Sequence, residues 1–99
     1  MLPVHPGEVL KEEYMRPLNL SVAELSVKLR IPPSRIHDII AGRRGISVDT
    51  ALRLAKFFDT DVSLWVNLQT QYEADSISEK TRKELERIVP YSTLHAAEA

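Results

Sequence analysis

Between Lys28 and Lys56 the chain carries seven cationic side chains, Lys28, Arg30, Arg35, Arg43, Arg44, Arg53 and Lys56, against only Asp38 and Asp49. Guanidinium groups at this density seek anions, and phosphate oxygens and the O6/N7 edge of guanine are acceptors that suit them. The whole chain sums to −1, so a local surplus of five leaves −6 on the remainder. Such segregation lets one face meet nucleic acid while the rest stays solvated or meets a basic partner. Enzymatic chemistry finds little to work with. Cysteine is absent, which excludes disulfides, thiolate zinc sites, iron–sulfur clusters and a thiol nucleophile. His5, His37 and His95 are scattered, and neither an H-E-x-x-H nor a phosphate-loop pattern occurs. His37 and Asp38 are neighbours on a helix and point ~100° apart, so they form no ready dyad. His5 with Glu8 reads as structure at a helix entrance. The expectation is a binding protein with no catalytic residue, cofactor or metal.

Ninety-nine residues, 43% of them hydrophobic, suit one small core. No apolar run approaches the ~18 residues of a membrane span, and the start, Met1-Leu2-Pro3-Val4-His5-Pro6, lacks a basic n-region and an apolar h-region. The chain thus reads as cytoplasmic, with no membrane partner. Strand-type alternation is missing, so the fold class expected is all-α: a compact five-helix domain of lambda-repressor type over residues 1–75, with a further helix and tail over 76–99.

The first helix runs from about Gly7 to Met15 and ends at Arg16-Pro17. The second is announced by an S-x-x-E capping box, Ser21 with Glu24, inside a hydrophobic staple of Leu20 and Leu25. It halts before Pro32-Pro33, which lack amide donors. A third opens at Pro33, buries Ile36, Ile39 and Ile40, and ends at Gly42. Ser47 caps the fourth, which lasts to Asp59, and Asp61 caps the fifth. Apolar residues surround much of that fifth helix, which makes it the expected subunit contact. A sixth spans about Ser78 to Val89, with Ile77, Thr81, Leu85 and Ile88 on one face, and Tyr91 to Ala99 shows no pattern.

Two short helices joined by a tight turn within a helical array describe a helix-turn-helix unit. Its second helix would bury the isoleucines and turn Ser34, Arg35, Asp38 and His37 toward base edges. Arginine matches guanine, serine donates or accepts, and aspartate accepts from cytosine N4. Alternatively Asp38 serves to orient Arg35, three residues earlier. Arg43 and Arg44, in the following loop, together with Ser21 and Ser47 at helix starts, would grip the sugar-phosphate backbone, positioning without specifying. The competing readings are solvated surface charge, or a helical interaction module that has kept a protein-binding surface without DNA binding.

Five segments in order carry a specific likeness: His5-Pro6-Gly7-Glu8-Val9-Leu10, Ile31-Pro32-Pro33-Ser34-Arg35-Ile36, Gly42-Arg43-Arg44-Gly45-Ile46-Ser47, Asp49-Thr50-Ala51-Leu52-Arg53-Leu54-Ala55, and Trp65-Val66-Asn67-Leu68-Gln69 with Tyr72. Over residues 3–75 the chain resembles the HigA family of antitoxins, within the Cro/CI-type repressor superfamily. The resemblance implies a homodimer that binds a palindromic double-stranded operator upstream of its own operon, represses it, and sequesters a HigB-like mRNA endonuclease toxin. By the same likeness Trp65, Leu68 and Tyr72 would supply the dimer interface. A repressor with no toxin partner is the alternative. The chain departs from the family pattern at Arg30, where many relatives carry glycine, at Ser26, where a small apolar residue is usual, and at Ala41, where asparagine is common.

Overall fold

The computed structural model describes residues 2–96, and all regular structure among them is helical. The first helix, α1 (Pro6–Val9), continues without a break into a π-helical stretch, Leu10–Met15. Leu10 and Met15 are both buried, although five residues of α-helix would turn them roughly 140° apart. The wider turn, with Arg16 N–H donating to the Lys11 carbonyl at 3.0 Å, brings both into the core. The chain then forms α2 (Val22–Leu29), α3 (Pro33–Ile40), α4 (Val48–Phe58) and α5 (Val62–Asp75). The capping box forms as the sequence dictates: Glu24 N–H donates to Ser21 Oγ at 3.1 Å and Ser21 N–H to Glu24 Oε1 at 3.2 Å.

Helix ends are set by left-handed residues. Gly42 (φ 77°) closes α3, with its N–H donating to Ile39 O at 3.0 Å and Arg43 N–H to Asp38 O at 2.8 Å. The same turn ends α2, but there the left-handed residue is Arg30 (φ 61°), so a side-chain-bearing residue stands where glycine is favoured. Asp61 precedes α5 in the N-cap position, yet its side chain accepts no capping hydrogen bond, contrary to the sequence expectation.

The core gathers Leu10, Leu25, Ile36, Ile39, Leu54 and Trp65, each at most 1% exposed. α5 packs against both α4 and α1, and α3 against α2 and α1. This two-sided cover accounts for the apolar circumference of α5. Trp65 is wholly buried and its indole N–H donates to Thr60 Oγ1 at 3.0 Å, so it is a core residue that cannot touch a partner. The expected dimer contact at Trp65 is therefore corrected; Leu68 and Tyr72 are half-buried. Beyond the body, α6 (Glu79–Arg87) and α7 (Tyr91–Ala96) make no substantial packing contact with the other helices. The face expected of α6 is not buried, with Leu85 and Ile88 both exposed. Residues 91–96 are helical where the sequence shows no pattern, and 97–99 lie outside the described residues.

Candidate nucleic-acid interface

The interface is built on α3 and the start of α4. Three contacts of α3 with the body fix its orientation. Ile36 and Ile39 are buried beneath it. Its backbone lies so close to α1 that a Cβ on Gly7 would overlap the Ile39 carbonyl. At its far end, Ile46 N–H donates to Gln69 Oε1 on α5 at 2.8 Å, which anchors the loop between α3 and α4. Ser34, His37 and Ala41 are exposed, and Arg35 and Asp38 are half-buried.

Arg35, Arg44, Ser47, Asp49 and Thr50 line one concavity of about 390 Å³. Three of the expected DNA-contacting residues, Arg35, Arg44 and Ser47, therefore converge. Ser47 Oγ accepts from Thr50 N–H at 3.2 Å and so caps α4. Ser21 lies at the start of α2, outside that concavity, where its oxygen serves the capping box. The carboxylates are arranged differently from the expectation that Asp38 orients Arg35. Asp38 Oδ1 instead accepts from Arg43, from Nε at 3.2 Å and Nη2 at 3.0 Å. Arg35 Nη1 donates to Asp49 Oδ2 at 3.4 Å, and that oxygen also accepts from Arg53 Nε at 3.0 Å.

Three contributors escape local sequence reasoning. Asp49 and Arg53 act across 14 and 24 residues: Arg53 Nη1 also donates to Leu29 O at 2.9 Å and Arg30 O at 3.3 Å, tying α4 to the end of α2. Gln69 did leave a signal, as a lone amide at helical spacing from Trp65 and Tyr72 on an apolar stripe. His5 caps α1, Nδ1 accepting from Gly7 N–H at 2.9 Å, and its ring meets Tyr72 edge-on at 4.7 Å. Burial holds its pKa below the ordinary value, opposed by hydrogen bonding to the Arg44 backbone.

No helix among the described residues is long and apolar enough to cross a membrane. Residues 11–65, more than half of the chain, match the helix-turn-helix family model, which describes no enzyme family. Virulence-associated protein I of Dichelobacter nodosus is 43% identical over 94% of this chain and 85% of its own length. An addiction module antidote protein of the HigA family from Coxiella burnetii superposes with a TM-score of 0.84 at 43% identity, covering 92% of this chain and all of that one. The antitoxin HigA of Pseudomonas aeruginosa, solved with the higBA promoter, gives a TM-score of 0.81 at 35% identity over 90% of this chain and 97% of that one. An α3 packed closely on Gly7 of α1, arginines gathered at its rim and agreement with these relatives along nearly the full length lead to one assignment: the chain belongs to the HigA family of helix-turn-helix antitoxins.

Proposed function

We propose that the chain is a cytoplasmic antitoxin that binds a palindromic operator as a homodimer, represses its own operon and neutralises a HigB-like mRNA endonuclease. The observation that carries the DNA-binding half is the convergence of Arg35, Arg44 and Ser47 on one concavity beside the exposed Ser34 and His37. In this reading Ser34, Arg35, His37 and Asp38 meet base edges, while Ser21, Arg43, Arg44 and Ser47 meet phosphates. The promoter-bound state of the Pseudomonas aeruginosa relative supports it. In this reading residues 1–75 are the DNA-binding and dimerisation domain, and 76–99 the C-terminal helix and tail. For dimerisation this reading uses the half-buried Leu68 and Tyr72 on α5 and the exposed Leu85, Ile88, Val89 and Leu94 of the arm. A nine-residue helix is marginal in water when isolated, so α6 gains from a partner. A two-fold dimer reading successive major grooves sets its two α3 helices ~34 Å apart.

The test is fluorescence anisotropy with the duplex immediately upstream of the gene and a scrambled duplex of equal composition, at two salt concentrations. Tight, salt-sensitive binding to the first with a wide margin over the second is expected. Equal, weak binding to both contradicts the operator reading. Co-expression with the product of the neighbouring gene tests the toxin: a stable co-purifying complex and restored growth are expected, and independent elution with persistent toxicity refutes that pairing.

A further inference from the structure

We propose that Asp38 makes the phosphate grip of Arg43 conditional on the base beneath it, so that a backbone contact acquires sequence specificity. This rests on the DNA-binding reading above. Arg43 donates from both Nη2 and Nε to a single carboxylate oxygen, Asp38 Oδ1, at 3.0 and 3.2 Å. The turn after α3 brings the two residues together, because the N–H groups of Arg43 and Arg44 both donate to the Asp38 carbonyl, at 2.8 and 3.2 Å. While the pair holds, the Nε/Nη2 edge of Arg43 is occupied, and only its remaining N–H groups can reach a phosphate. The pair is open to water, with the side chains 66% and 40% exposed for Arg43 and Asp38, so it exchanges readily. Exchange nonetheless has a condition. When Arg43 leaves for a phosphate, Asp38 stands as a bare carboxylate facing the phosphate-lined groove unless something donates to it. In the major groove the donors are cytosine N4 and adenine N6, whereas guanine O6 and thymine O4 present only lone pairs. A base amine thus releases Arg43, and a base carbonyl retains it. Asp49 lacks this property, because it holds Arg53 as well as Arg35 and stays paired when Arg35 departs. The gate therefore belongs to Asp38.

The experiment compares wild type, Asp38→Asn, Arg43→Ala and Glu84→Gln, whose lost charge lies on the arm, by anisotropy over a salt series. The probes are a duplex selected by wild type from a random pool and its scramble, with circular dichroism to verify folding. For wild type the salt slope is expected to be steeper on the selected duplex, since Arg43 displaces a counterion only there. Asp38→Asn should tighten binding to the scramble about tenfold and steepen its slope by about one unit, leaving the slope on the selected duplex unchanged. Arg43→Ala should weaken the selected complex alone. The proposal is overturned if Asp38→Asn shifts both duplexes by the same factor, as Glu84→Gln should, or if Arg43→Ala weakens both alike. Failure of wild type to enrich any duplex overturns the underlying DNA-binding reading, and is recognisable before any variant is measured.

Discussion

His5 sits at the helix entrance between Gly7 and the Tyr72 ring. Its Nδ1 accepts from Gly7 N–H at 2.9 Å, and a proton on that nitrogen would set two donors against each other. Burial lowers its pKa in the folded state, so folding favours the neutral form over the unfolded value of about 6.5. The stabilisation is complete above that value and is lost as pH falls through the lower, folded value. Differential scanning fluorimetry between pH 5 and 8 should therefore show the melting temperature dropping on the acid side, and His5→Asn, which keeps a capping acceptor, should flatten that drop. An unchanged acid slope in the variant would show that other groups cause it. Gly7 sets a harder limit, because its missing Cβ is what admits the Ile39 carbonyl. Gly7→Ala should cost about 3 kcal/mol, at the upper end of overpacking, and weaken DNA binding by displacing α3. A variant with wild-type thermal stability would mean that α1 can shift without consequence.

At the scale of elements, the end of α2 is the weak point. Arg30 sits at φ 61°, a conformation that costs a side-chain-bearing residue roughly 1–2 kcal/mol. Arg53 offsets part of this by donating to the carbonyls of Leu29 and Arg30. Arg30→Gly should raise stability by about 1 kcal/mol, read as a rise of roughly 4–8 °C in the melting temperature, with the Arg53 contacts retained because they reach backbone. A fall would show that the Arg30 side chain contributes more than its conformation costs. The starts and stops of α2, α3 and α4 were legible in the chain because each is written locally: Ser21 with Glu24, Pro33, Gly42, Ser47. Arg35, Arg43 and Arg44 were legible as a basic group for the same reason. The partners of those arginines were not. Arg35 finds Asp49 through the crossing of α3 and α4, and Arg43 finds Asp38 through the turn at Gly42, neither of which periodicity specifies. Trp65 was open to both readings, core and subunit contact, because an apolar circumference is the same whether neighbouring helices or a second subunit cover it.

The molecule as a whole measures 61 × 26 × 22 Å, with a radius of gyration of 18.2 Å, against ~13 Å for a compact domain of this length. The arm of α6 and α7 accounts for the excess, since every buried core residue belongs to the body. A chain ending at Ser76 should keep cooperative unfolding within about 1 kcal/mol of the intact protein, yet sediment as a monomer and bind operator more weakly. An unaltered dimer would assign the subunit contact to α5 alone. The proposed role of the α3 and α4 rim is to read DNA. Its most direct test is the affinity of Arg35→Ala and Arg44→Ala for the wild-type-selected duplex and its scramble across a salt series. Arg35→Ala should lose ~1–3 kcal/mol on the selected duplex and far less on the scramble, while Arg44→Ala should weaken both and flatten both salt slopes by about one unit. Identical losses for the two variants on both duplexes, or no loss in either, would contradict it.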